Sequence, residues 1–252
     1  MTTLAIIGGT GVDALEGLDS LRCHTVETPY GAPSRPIQEG RLGDTRLFFL
    51  QRHGSPAKIP PHLINYRANL WALQALGVDD IIAINAVGGI TEDMRPGRLV
   101  IPDQVIDYTW GREHSFDDGS SGELMHIDFT EPYDRALRLA LIAAANASHI
   151  PHEAAGVYGV MQGPRLETAA EIRRMARDGC DVVGMTAMPE AALARELGLS
   201  YALCALGVNH AAGRSPAGTG IHAQVEGFFA QGLERLQRLV VAVAAAERDR
   251  CT

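Results

Sequence analysis

Short apolar runs alternate with longer stretches of helical periodicity along this chain. Leu4 to Ile7 reads as a strand stopped by Gly8-Gly9, and Arg46 to Leu50 as a second strand running into Gln-Arg-His-Gly. Residues 61–76 place Tyr66, Leu70, Leu73 and Leu76 at helical spacing, with Gly77 as the stop. Further strands are expected at Ile81–Ile84, Val157–Met161, Asp181–Gly184 and Tyr201–Val208, with an extended segment at Leu99–Ile106. Helices are expected from near Ala169, at Pro189–Leu197, and over 223–247. In that last helix Val225, Phe228, Phe229, Leu233, Leu236, Leu239 and Val240 form a broad apolar face. The polar stretch 108–130 reads as a long loop folded over a site.

Strands separated by helices imply an α/β chain whose parallel or mixed sheet is covered on both faces. Such sheets bind ligands at the carboxyl ends of their strands. Here those ends carry Thr10, Arg52-His53, Asn85-Ala86, Met185-Thr186 and Asn209, with Glu167 soon after Gly163. Their convergence is the main functional signal.

Each residue has a plain reading beside the functional one. Gly8-Gly9-Thr10-Gly11 fits a tight turn, or a loop whose backbone N–H groups and Thr10 hydroxyl hold an anion. The same segment fits G-x-G-x-x-A, with Glu27 as a ribose acid, but Gly17 follows too soon for a crossover helix. Arg52 suits a bidentate phosphate contact, with His53 as an added donor, or is a surface arginine. Thr186 alone is an ordinary hydroxyl. Glu167 either caps the next helix or accepts from a ligand. Asn209, followed by His210 and Ala211, either makes a turn or meets a ligand edge with one donor and one acceptor. His222 opens the last helix, as a cap or a contact.

Composition narrows the classes. The 252 residues are 46% hydrophobic and 21% charged, an ordinary globular mixture sufficient for one domain over 1–252. The net charge is −8, from 22 basic and 30 acidic residues, with no basic stripe, which argues against nucleic acid. No apolar stretch reaches the roughly 20 residues of a membrane span. The widely spaced Cys23, Cys180, Cys204 and Cys251 suit reduced packing residues in a cytoplasmic protein, and no motif suggests a metal.

The segments AIIGGTG, QRHG, NYRANLWAL, NAVGGI, GPRLETAAEIR and VVGMTAMPEAALARELGLSYA cover most of the chain. In this order they resemble the methylthioadenosine phosphorylase branch of the trimeric purine nucleoside phosphorylases, most of all the bacterial 6-oxopurine and methylthioinosine enzymes. The resemblance implies one domain, a twisted mixed sheet or distorted barrel ringed by helices. It implies homotrimers or pairs of trimers, a nucleoside substrate, and phosphate as co-substrate without a cofactor. It assigns phosphate to Thr10, Arg52, His53, Asn85, Ala86 and Thr186, the ribose face to Met185, and the purine to Glu167, Asn209, His210 and Ala211. Asn209 becomes the catalytic group at N7. Adenosine-type relatives carry Asp at that position, whereas Asn can donate to a 6-oxo group. Glu167 resembles the acid that accepts from N1–H. Ala57 stands where many relatives have histidine. His222 matches a histidine that bonds a 5′-hydroxyl, so the resemblance leaves the 5′ group open. The competing readings are a methylthioadenosine phosphorylase, a nucleosidase, a purine-binding protein and an NAD-dependent oxidoreductase.

Overall fold

The computed structural model describes residues 3–8, 19–42, 45–56, 58–120, 125–215 and 221–249. Thr10, its flanking glycines and Ala57 lie outside them, and the side chain of His222 is likewise not described.

Among the described residues, one mixed sheet of eleven strands organises the fold. Its core comprises β1 (Thr3–Gly8), β4 (Thr45–Gln51), β5 (Asp80–Gly89) and β11 (Ser200–His210), all parallel. β2 (Asp19–His24) and β3 (Ile37–Leu42) add antiparallel strands beyond β4. β10 (Val182–Gly184) runs antiparallel to the end of β5 and leads to β9 (Val157–Val160) and β7 (Gln104–Asp107). β6 (Leu99–Val100) and β8 (His152–Glu153) lie beside β11.

Both faces of the central strands are apolar, because alternate residues feed different cores. Ala5, Ile7, Phe48, Leu50, Ile81 and Ala83 pack towards α1 (Tyr66–Ala75) and α4 (Ala187–Glu196). Leu4, Ile6, Leu47, Phe49, Ile82 and Ile84 pack towards α2 (Arg135–Ala147) and α5 (Ile221–Asp249). A smaller cluster joins Ile172 and Met175 of α3 (Ala169–Asp178) to Ile90, Val183 and Ala211.

Several expectations need correction. The helix expected at 61–76 starts at Tyr66, capped by Asn65, whose side chain accepts from Ala68 N–H; only a 3₁₀ turn, Pro61–Leu63, precedes it. The extended segment at 99–106 is two separate strands. Asn85 and Ala86 lie inside β5, and Asn209 and His210 inside β11, rather than beyond strand ends. Phe228 is 36% exposed, resting near Gly97 instead of entering the core. The α2 helix and the strands β2, β3 and β8 were not expected; α2 is alanine-rich, yet it buries Leu137, Leu141, Ala144 and Ala145 at helical spacing. Among the described residues, the strand that follows β1 is β2, which pairs antiparallel with β3 and does not lie beside β1, whereas a dinucleotide-type β-α-β unit would set it parallel to β1.

Candidate active site

A cavity of about 360 Å³ opens where β4, β5, β10 and β11 meet. Arg52 and His53 enter it from the end of β4, Asn85 and Ala86 from β5, and Met185 and Thr186 from the end of β10. Glu167 and Asn209 line the same space. It also takes Leu233 and Leu236 from α5. His210, on β11 opposite Gly89, and Ala211, buried in the α3 cluster, are not among its lining residues.

Arg52 is not a surface arginine; it is 1% exposed. Its Nε and Nη2 donate to the two Glu190 carboxylate oxygens at 2.6 and 2.7 Å, and Nη1 donates to Ile84 O at 3.4 Å. Of the five guanidinium hydrogens, one on Nη1 and one on Nη2 remain. They are suited to hold an anion from one edge. Burial alone would lower the Arg52 pKa, but the Glu190 charge and its hydrogen bonds raise it above the ordinary value. Glu190, wholly buried in α4, also accepts from Tyr201 Oη–H at 2.8 Å. Neither Glu190 nor Tyr201 stood out in sequence, because a Glu after Met-Pro in a short helix has no distinguishing spacing.

The polar atoms beside Arg52 are equally fixed. Asn85 Nδ2 donates to Thr186 Oγ1 at 2.9 Å and to Tyr158 Oη at 3.2 Å. Its Oδ1 is buried without a partner. Thr186 Oγ1 accepts that bond and donates to no described residue, so its own hydrogen is available to the cavity. Tyr158 reaches Asn85 only because residue 184 is glycine, since a Cβ there would collide with the phenol oxygen.

His53 Nδ1 lies 2.9 Å from Ile59 O. A carbonyl only accepts, so Nδ1 carries a hydrogen. Burial lowers the ring pKa below its usual value, reinforced by the Arg52 charge and opposed by the Ile59 bond.

The other end of the cavity holds Glu167 and Asn209. Glu167 does not cap α3: Thr168 accepts from Glu171 N–H, and Glu171 accepts from Thr168 N–H, completing a capping box without it. Burial raises the Glu167 pKa above the usual value. Asn209 follows a β-bulge, in which Val208 has no counterpart in β5, and both Val208 and Asn209 line the cavity. Strict alternation would not have aimed both inward. Asn209 Nδ2 donates to His210 O at 2.7 Å, which fixes the amide orientation and leaves Oδ1 and a second N–H hydrogen for a ligand.

Arg112, from the long loop, is a further residue absent from the sequence reading. It is 8% exposed and spends its guanidinium on neutral oxygens. Nη1 donates to Met185 O (2.9 Å), Met188 O (2.5 Å) and Tyr66 Oη (3.3 Å). Nη2 donates to Gln162 O (2.8 Å) and Met161 O (3.2 Å), and Nε to Gln162 Oε1 (3.2 Å). One loop residue thus ties the ends of β9 and β10 to the start of α4. Gly163, at φ +64°, lies against Met185; a Cβ there would approach its sulfur to 2.6 Å.

The Phosphorylase superfamily model matches residues 3–245. The chain belongs to the phosphorylase superfamily. Among other superfamily proteins, a probable S-methyl-5′-thioinosine phosphorylase of Pseudomonas syringae pv. tomato is 50% identical over 246 residues, 98% of this chain and 100% of that one. A 6-oxopurine nucleoside phosphorylase of Pyrococcus furiosus is 46% identical, covering 96% of this chain and 92% of that one. The methylthioadenosine phosphorylase of Schistosoma mansoni, solved with adenine, superposes with a TM-score of 0.92 at 33% identity, over 99% of this chain and 93% of that one. These relatives bear out the expected kinship and the fold, a large mixed sheet with surrounding helices. No described helix is long and apolar enough to cross a membrane. Among the described residues, no group of three or more His, Cys, Asp or Glu is placed to hold a metal.

Proposed function

We propose that this superfamily member phosphorolyses 6-oxopurine nucleosides, releasing the free base and ribose 1-phosphate or 5-methylthioribose 1-phosphate. One observation carries the reading. A single cavity pairs a buried arginine edge, at Arg52, with an oriented amide and a carboxylate, at Asn209 and Glu167. The naming of relatives at 46% and 50% identity as 6-oxopurine and methylthioinosine phosphorylases supports it.

In this reading phosphate sits beside Arg52, His53, Asn85, Ala86 and Thr186, below the ribose, and the family resemblance adds Thr10. Met185 packs against the sugar. The C1′–N9 bond stretches and the sugar becomes oxocarbenium-like. As the bond breaks, the departing base takes a proton from solvent at N7; Asn209 Oδ1 accepts from that N7–H and Nδ2 donates to O6, while ionised Glu167 accepts from N1–H. Phosphate stabilises the cation and then captures C1′. The work is positioning and electrostatics, with no covalent enzyme intermediate. The family resemblance assigns the 5′ group to His222. No cofactor is needed, phosphate being a co-substrate. Carried over from the family resemblance, the enzyme is a cytoplasmic homotrimer or a pair of trimers, a state that light scattering measures.

The test is release of hypoxanthine from inosine and from methylthioinosine, with and without phosphate. Release at the same rate without phosphate identifies a nucleosidase instead. The structural likeness to methylthioadenosine phosphorylases keeps a second reading, cleavage of 6-aminopurine nucleosides. A higher kcat/KM for methylthioadenosine than for methylthioinosine would establish it.

A further inference from the structure

The cavity contains a hydrogen-bond acceptor where an anion site calls for donors. His53 carries its hydrogen on Nδ1, because that atom faces the Ile59 carbonyl at 2.9 Å. The backbone holds the ring in this orientation: Lys58 N–H and Ile59 N–H both donate to His53 O, at 3.0 and 3.1 Å, closing a tight turn. Nε2 has no partner among the described residues. Burial and the adjacent Arg52 charge favour the neutral ring, in which Nε2 bears a lone pair and no hydrogen. The cation beside it is not a free charge either, since Glu190 neutralises Arg52 through two hydrogen bonds. Binding here therefore depends on matching donors to acceptors more than on net positive charge.

We propose that His53 Nε2 accepts a hydrogen bond from the P–OH of the bound phosphate, so that the cavity selects tetrahedral oxyanions that carry a hydrogen over those that do not. The inference rests on the phosphorolytic reading of the cavity. Inorganic phosphate and arsenate keep at least one hydrogen at neutral pH; sulfate and selenate keep none. Phosphate satisfies the donors on Arg52 and Thr186 with its oxygens and His53 with its hydroxyl. Sulfate sets an oxygen lone pair against the Nε2 lone pair. An unmet buried acceptor of this kind weakens binding roughly ten- to a hundredfold. The same bond orients phosphate, turning its hydroxyl towards His53 and leaving its unprotonated oxygens for Arg52 and for attack on the sugar. His53 is thus assigned as an acceptor, where the sequence suggested a donor.

Isothermal titration of the whole enzyme with phosphate, sulfate, arsenate and selenate at neutral pH tests this without any variant. The expected result is phosphate at least tenfold tighter than sulfate, and arsenate at least tenfold tighter than selenate. Equal affinities within either size-matched pair overturn the proposal. In His53→Gln, the amide can rotate to present either a donor or an acceptor, and the phosphate-to-sulfate ratio should fall at least fivefold. An unchanged ratio in a folded His53→Gln protein also overturns it. If the anions rank as expected but no nucleoside is cleaved, the anion assignment stands and the phosphorolytic reading fails.

Discussion

Replacing Glu190 with glutamine changes one atom in the core and should have a large effect. Glu190 is wholly buried, accepts from Arg52 Nε and Nη2 at 2.6 and 2.7 Å, and accepts from Tyr201 Oη–H. Glutamine offers one oxygen, so its NH₂ faces an arginine N–H in either orientation, and in one of them Tyr201 also loses its acceptor. The Arg52 cation is left without a counter-charge at 1% exposure. Breaking a buried ion pair from one side costs about 3–5 kcal/mol. At about 2–4 °C per kcal/mol for a chain near this size, Tm should fall by roughly 6–20 °C. Scanning calorimetry with and without saturating phosphate is the assay. Phosphate supplies the missing negative charge, so it should raise the Tm of Glu190→Gln more than that of the wild type. The double variant Arg52→Met, Glu190→Leu should recover much of the stability while losing activity, because a buried pair replaced by apolar side chains no longer pays for desolvation. A Glu190→Gln protein melting within 2 °C of wild type would refute the reasoning.

Three further outcomes follow from the geometry. Asn209→Asp sets a carboxylate oxygen against His210 O, where Nδ2 now donates, and removes the O6 donor; each unmet group costs about 1–3 kcal/mol. The inosine-to-adenosine kcat/KM ratio should fall at least tenfold, and an unchanged ratio counts against the 6-oxopurine assignment. Ionised Glu167 is the stronger acceptor for N1–H, and burial raises its pKa; kcat/KM for inosine should therefore decline on the acid side from a pH above that of an exposed glutamate. Glu167→Gln should remove that limb and lower kcat/KM about tenfold, so an identical acid limb in the variant rules out Glu167 as its source. Arg112→Met strands the carbonyls of Met161, Gln162, Met185 and Met188, and should cost about 3 kcal/mol and raise the nucleoside KM. Arg112→Lys, with three donors in place of five, should restore only part of both, and wild-type KM and Tm in Arg112→Met would show the latch is idle.

Much of this molecule was legible in its residue order. Apolar runs such as Leu4–Ile7 and Tyr201–Val208 must be strands buried on both faces, because consecutive residues on both sides are apolar; the structure sends Ala5 and Ile7 to one core and Leu4 and Ile6 to the other. The clustering of Arg52, His53, Thr186 and Glu167 near turns was visible for the same local reason: short runs end where polar and glycine residues begin.

What tertiary structure alone decided are relations between distant residues. Glu190 lies 138 positions from Arg52, and Arg112 lies 73 from Met185; neither has a local pattern, because a hydrogen bond across the sheet leaves no periodicity in the chain. The bulge at Val208 is a property of how β11 pairs with β5, so the inward aim of Asn209 could not be read from alternation. Whether Glu167 was a cap depended on Thr168 and Glu171 completing the capping box between them. The His53 ring was read as a donor because the type of residue says only that it can be one; the Ile59 carbonyl, brought against Nδ1 by a turn, decides which nitrogen holds the hydrogen. Sequence determined which chemical groups the site could draw on, through local propensity and apolar pattern. Long-range packing decided which of them face one another, and so which donate and which accept.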